Sequence, residues 1–503
     1  DHRPRPRTAP RTNGARPHPA GTVGARPGAR PEAPTEVLDL RGLASAPTVR
    51  IPAVRPAAAP TPPGGRGSGA ATALAAPPGS EGGEEPGTVA GLGDGLALAL
   101  SSLINSVAGL LGWLVAARLL DTAEVGRAQQ VVTAFMLVGA VAQLNLGMGL
   151  LRWIPGAGRR TGSLIWRSLL LIMPLSGLVG LVYVLVVPDL ARTSAGGSFA
   201  LGALVFALAC AGWGVFVVHD FILVALHRPW WALWRNALFS ALRIGLLVAL
   251  VVLGLGAEGV VLSWVGPIVV WTVAGSLLIA VLARRASRRA EGGTLPGRRE
   301  AVGFLGPTAI GQTGGALLYN QVALLVTTRV GFESGAVFFI CWQAVTVIEV
   351  AAMFFMNSLA VNQAREPHRA AELAAAARRR LLVIFLPALA VGAVVAEPAL
   401  MIFGPDYAEA ANVLRLILVG LAFRLLVVHE LGVRQAAGKA MAYARLQLIS
   451  SLLVVLVAGF VPVDGAADPL LAVALGYVVV QVVCAAAVLL SPARRRAGTE
   501  VHA

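Results

Sequence analysis

The sequence predicts an all-α polytopic membrane protein: twelve transmembrane helices in two six-helix lobes, preceded by a disordered N-terminal tail. Three observations predict it. The 503 residues are 56% hydrophobic and only 13% charged, against about a quarter charged in a soluble protein. The apolar residues fall into long blocks, and ~20 apolar residues suffice to cross a bilayer as a helix. Finally, a motif recurs. Val217-Val218-His219-Asp220 returns 210 residues later as Val427-Val428-His429-Glu430, and at the same offset Arg235 is matched by Arg445 and Ser240 by Ser450. Such a repeat is the trace of two homologous halves, and internal repeats flank the substrate path in many transporters.

Residues 1–90 are dense in Pro, Gly, Ala and Arg. They cannot bury enough apolar surface to offset chain entropy, so a disordered cytoplasmic tail is expected. Its first thirty residues carry seven Arg against one acid, which would attract anionic lipid. The run from Glu36 to Leu43 is a weak candidate for docking a partner. No secretory signal peptide is expected at this N-terminus.

The apolar blocks then follow at about 95–119, 128–150, 165–187, 199–226, 231–254, 258–283, 302–328, 334–360, 380–403, 409–433, 440–461 and 468–490. Interior prolines at 174, 267, 307 and 387 predict kinks. The N-terminal lobe is expected over 91–283, a basic linker over 284–300, the C-terminal lobe over 301–492 and a basic tail over 493–503. Every even-numbered connection is basic: Arg152, Arg159, Arg160 and Arg167; Arg228 and Arg235; Arg284 to Arg299; Arg365 to Arg380; Arg434, Lys439 and Arg445; and Arg494 to Arg496. The odd-numbered connections are short and poor in Arg, as in Asp121-Thr-Ala-Glu124 and Gly404-Pro-Asp-Tyr407. The positive-inside rule therefore places both termini in the cytoplasm. It also accounts for the net charge of +15 without a nucleic-acid partner. Trp230, Trp231 and Trp234 fit an interfacial belt. A second, weaker echo links Arg118-Leu-Leu-Asp-Thr-Ala-Glu124-Val-Gly126 to Arg329-Val-Gly-Phe-Glu333-Ser-Gly335. Six spans per half give the halves one orientation, related by an axis along the membrane normal.

Ionisable groups at span depth are functional candidates by default. Asp220 and Arg235 lie at similar distances from one hairpin turn, Glu430 and Arg445 from another, so each pair is a candidate structural ion pair. His219 and His429, with their adjacent acids, are alternative coupling or gating groups at the inner mouth, since histidine titrates near neutral pH. Arg243 sits mid-span opposite Gly214, and Arg424 is equally central in span 10. Both are candidates for a wet cavity, where guanidinium forks suit phosphate oxygens. Structural pairing of Arg243 with Glu349, the mid-span acid of span 8, is the competing expectation; Glu349 is otherwise a cation site. Gln312, Asn320 and Gln321 on span 7 are the best cluster for sugar hydroxyls. Asn105, Gln143, Asn145 and Gln481 suit interhelical hydrogen bonds. Cys210, Cys341 and Cys484 have no metal-ligand spacing and read as buried small residues. No metal or cofactor is expected. There is no phosphate-binding loop of the Walker type and no H-E-x-x-H or G-x-S-x-G motif, so catalysis is not expected.

Three features resemble the multidrug/oligosaccharidyl-lipid/polysaccharide exporter superfamily, in its polysaccharide-flippase branch. They are "AARLLDTAEVGRAQQV" continuing through "LNLGMGLLRWIP", the segment "MIFGPDYAEAANVLRLILVGL" from Met401 to Leu421, and the layout in two six-helix lobes. The likeness covers about residues 92–490. It implies lobes around a central cavity that opens alternately to each side of a bacterial cytoplasmic membrane. It further implies a lipid-linked oligosaccharide as substrate, turned across the bilayer for cell-surface polysaccharide assembly. Membrane lipids, a polysaccharide polymerase or glycosyltransferases are the expected partners. A cation-coupled drug antiporter of the same superfamily and a membrane scaffold for synthesis enzymes are the competing expectations.

Overall fold

A computed structural model describes residues 107–491. The tail over 1–90, the Glu36–Leu43 run, Asn105 and the basic residues from 493 onward lie outside the described residues. Within them the chain is helical and no strand occurs. The helices are α1 (Val107–Leu119), α2 (Thr122–Ala142), α3 (Leu146–Trp153), α4 (Thr161–Val186), α5 (Pro188–Ser194), α6 (Phe199–Ala225), α7 (Pro229–Val252), α8 (Ala257–Arg289), α9 (Arg298–Ala316), α10 (Val322–Val330), α11 (Phe332–Arg365), α12 (Ala370–Val394), α13 (Ala396–Met401), α14 (Pro405–Ala408), α15 (Ala411–Ala436), α16 (Ala440–Phe460) and α17 (Pro469–Leu490).

Among the described residues, nine helical segments are long and apolar enough to span a membrane. The other three of the twelve expected blocks coincide with α1, with α9 and α10 together, and with α12. Of α1 only the part from Val107 is described, and the other two are interrupted locally. A five-residue π turn, Leu317–Gln321, separates α9 from α10. Arg378 to Arg380 sit within the first turns of α12.

Short polar loops fix where helices begin. Asp121 accepts from the Glu124 amide at 2.7 Å and caps α2. Asp468 accepts from the Leu470 and Leu471 amides at 2.9 and 3.0 Å and caps α17. Each satisfies amides that a helix start leaves without an intrahelical partner. The expected interior prolines lie inside α4, α8, α9 and α12. The three cysteines are buried and free, and Trp230, Trp231 and Trp234 are exposed.

Helices α2 to α8 pack on one another, as do α9 to α17, and the two groups meet chiefly where α2 lies against α9, α10 and α11. This seam is polar and aromatic. Gln130 Nε2 donates to Thr328 Oγ1 at 3.2 Å, and Thr327 Oγ1 donates to Gln129 Oε1 at 3.0 Å. Trp113 meets Phe339 edge-on at 4.8 Å. At Gly126 the backbones come so close that a Cβ would lie 2.0 Å from the Phe332 carbonyl oxygen. Both arginines of the weaker sequence echo bind carbonyls at helix ends. Arg118 Nε donates to Ile402 O at 2.7 Å, and Arg329 Nη2 donates to Val461 O at 2.7 Å. A cation at a helix C-terminus meets both the unpaired carbonyls and the negative end of the dipole.

Candidate functional site

Arg243 lies on the α7 face that turns toward α1 and α8. Its side chain is buried at 3% exposure. Nη2 donates to the Ala108 carbonyl, and the guanidinium lies 4.1 Å from the Trp264 ring centroid. The expectation that Arg243 faces Gly214 is corrected. Gly112 faces it, and a Cβ there would sit 2.5 Å from Nη2, whereas Gly214 packs against Ser176 and Ile172. Helix rotation, which span depth alone does not specify, makes the difference. Arg243 forms no ion pair with an acid among the described residues, and its Nε has no hydrogen-bond partner. It lines a small pocket of about 10 Å³, room for about one water, with Gly112, Trp113, Leu247, Val260, Ser263 and Trp264. A ring face and one carbonyl stabilise a guanidinium without neutralising it. The arrangement therefore keeps a net positive charge within the helices.

The other mid-span arginine is different. Arg424 is fully buried and held by a carboxylate, where a cavity-lining role was expected for it. Its Nε donates to Glu349 Oε1 at 3.0 Å, Nη1 to Ser450 Oγ at 2.9 Å and Nη2 to Gln447 Oε1 at 3.4 Å. Glu349 therefore pairs with Arg424, not with Arg243. Tyr319 Oη, in the π turn, donates to the same carboxylate oxygen at 3.3 Å.

The repeated motif diverges in its pairing. Arg235 Nη2 donates to Asp220 Oδ1 at 2.7 Å and Nη1 to the Phe216 carbonyl at 2.9 Å. Asn236 Nδ2 holds the second carboxylate oxygen at 3.0 Å, and the Arg235 guanidinium stacks 3.9 Å from the Phe216 ring centroid. In the other half Glu430 accepts from Arg434 Nε at 3.0 Å, one turn along α15, and Arg445 is exposed. Where a Glu430–Arg445 pair was expected, Glu430 pairs with Arg434 in the i,i+4 register. Such a pair forms on any helix, whereas a cross-helix pair depends on how both helices are rotated.

His219 and His429, the coupling or gating candidates, face different helices. His219 is buried with Nε2 3.2 Å from Ser276 Oγ on α8. His429 Nε2 lies 2.9 Å from the Ala374 carbonyl on α12. Gln312, Asn320 and Gln321 are half-buried, and the latter two fall within the π turn. π turns are frequent at functional sites. Asn320 Nδ2 donates to Ala316 O at 3.2 Å. Among the described residues no group of His, Cys, Asp and Glu could hold a metal ion.

Sequence reasoning missed Trp264, Gly112, Tyr319 and Gln447. Ser450 had a signal, because it is matched by Ser240 in the repeat.

Compared by sequence, the chain matches no family model and no curated protein. Compared by structure, it is similar to a multidrug-resistance MATE family transporter of the MOP superfamily in its inward-facing conformation. The TM-score is 0.61 at 18% identity, over 80% of this chain and 98% of that one. An outward-facing conformation of such a transporter gives 0.54 at 17% identity, over 82% and 97%. A MOP superfamily transporter from Pyrococcus furiosus, whose binding pocket is described as having reversed polarity, gives 0.53 at 18% identity, over 80% and 94%. The chain has the MATE-like transporter fold.

Proposed function

We propose that this chain is a membrane flippase. It carries a lipid-linked oligosaccharide across a bacterial cytoplasmic membrane by alternating access, for cell-surface polysaccharide assembly. The observation that carries the reading is Arg243: a buried guanidinium with no carboxylate partner among the described residues, lining a small pocket between α1, α7 and α8. Buried charge is costly and is retained where it meets a counter-charge. A diphosphate-linked headgroup supplies that charge during transport and suits the planar donor fork. The half-buried amides of Gln312, Asn320 and Gln321 would then meet sugar hydroxyls. The basic even-numbered loops support cytoplasmic termini, on the side where polymerase or glycosyltransferase partners and anionic lipids would be met.

A cation-coupled drug antiporter is the second reading, favoured by the multidrug transporters among the structural neighbours. It would need an unpaired acid for an organic cation. Among the described span residues, Asp220, Glu349 and Glu430 are each held by an arginine. The pocket beside Arg243 favours anions, and reversed pocket polarity has been described for one of the similar solved structures.

The test uses the full chain in proteoliposomes, with headgroup exposure read by a membrane-impermeant enzyme or lectin. A diphosphate-linked saccharide should be translocated faster than a neutral glycolipid of the same chain length, and lipophilic cations should not be exported. Export of lipophilic cations with no translocation of the anionic lipid would replace this reading by the second.

A further inference from the structure

Glu349, Arg424, Ser450, Gln447 and Tyr319 come from α11, α15, α16 and the π turn, and they meet at one depth in the C-terminal lobe. The carboxylate and the guanidinium are 4% and 0% exposed. One carboxylate oxygen accepts from both Arg424 Nε and Tyr319 Oη, and the other two guanidinium nitrogens are held by α16. Gln447 in turn donates to Ser451 Oγ at 3.2 Å, closing the set. A free cation that bound Glu349 would have to enter this enclosure and displace a group tethered to the chain. A tethered group competes at a high effective concentration, and its Nε already donates a charge-assisted bond to the carboxylate at 3.0 Å.

We propose that Arg424 is the resident counter-ion of the C-terminal lobe. It occupies the place a small cation would take at Glu349, so this acid binds no exchangeable cation and the lobe is held in register without one. Arg424 and Glu349 are positioning residues: through Tyr319 they set the π turn that carries Asn320 and Gln321. The proposal rests on the chain being a transporter but not on its substrate, and its test contains no substrate.

Thermal unfolding of the purified full chain is followed while Na+, Li+, K+ or methylguanidinium is titrated at constant ionic strength. Wild type should show no saturable protection by any of the four. Arg424→Ala should unfold at a lower temperature, and methylguanidinium should restore part of the loss saturably, as mass action requires of a ligand that binds only the folded state. That rescue should vanish in Arg424→Ala/Glu349→Gln, which lacks the acid. Saturable protection of wild type by Na+, Li+ or K+ that is lost in Glu349→Gln overturns the proposal, because Glu349 would then be an open cation site. A folded, monodisperse Arg424→Ala that is not rescued overturns it too. Should Arg424→Ala fail to accumulate, the wild-type and Glu349→Gln titrations decide between the two outcomes.

Discussion

Gly112→Ala moves the Arg243 guanidinium without touching its charge. The new Cβ would lie 2.5 Å from Nη2 and 3.0 Å from Cζ. Non-bonded heavy atoms settle at about 3.5–4.0 Å, so the head of the arginine must retreat by roughly 1 Å. The obstacle is the end of the long Arg243 side chain, which can yield where backbone could not. Its retreat breaks the bond to the Ala108 carbonyl, of a kind that contributes about 1.5–3 kcal/mol when one partner is charged. It also weakens the ring contact to Trp264, where a desolvated cation gains about 2 kcal/mol. The alanine returns about 0.5–1 kcal/mol of helix propensity, so a net loss of about 2 kcal/mol is expected. Since about 1.4 kcal/mol is a factor of ten, the folding equilibrium should shift by about thirtyfold, and apparent affinity for an anionic headgroup should fall as the guanidinium is displaced. Gly109→Ala is the control: it lies one turn away on α1 and its added Cβ would meet nothing within 4 Å. Thermal unfolding and concentration-dependent headgroup translocation read both effects. Equal behaviour of the Gly112→Ala and Gly109→Ala proteins would refute the placement of Arg243 against α1.

Gly126→Ala should disturb the seam between the two helix groups, because its Cβ would lie 2.0 Å from backbone at Phe332. Overpacking of this kind costs about 1–3 kcal/mol, and cysteine pairs placed at Gln130 and Thr328 should cross-link more slowly in that background. Asp220→Asn should destabilise by about 2 kcal/mol, since it strips a buried Arg235 of its charge partner at a half-exposed carboxylate. Arg445→Ala, at an exposed site, should stay within about 0.5 kcal/mol of wild type. Similar losses for these two in thermal unfolding would restore the symmetrical pair of staples.

The succession of helices was legible because each rests on a local property. Block length and hydropathy located the spans, prolines 174, 267, 307 and 387 fell inside helices, and the aspartates at 121 and 468 cap helices in the short connections. Pairing was legible only where geometry leaves few choices. Asp220 and Arg235 flank a tight turn at matched distances and meet at 2.7 Å. Glu430 had a nearer cation in Arg434, one turn along its own helix. The depth of Arg243 and Arg424 could be read along the chain, but the faces they present could not. Rotation about each helix axis placed one beside Trp264 and the other on Glu349, 75 residues away in sequence. The π turn at Leu317–Gln321 has no signal beyond a polar Asn-Gln pair in an apolar run.

The central claim is that an unneutralised guanidinium inside the helices meets an anionic headgroup. Its most direct test is the initial rate of headgroup translocation for a diphosphate-linked and a neutral lipid of equal chain length, in wild type and in Arg243→Gln. The account predicts that the variant loses about tenfold on the anionic lipid and nothing on the neutral one. Equal rates for wild type and variant on the diphosphate lipid would contradict it.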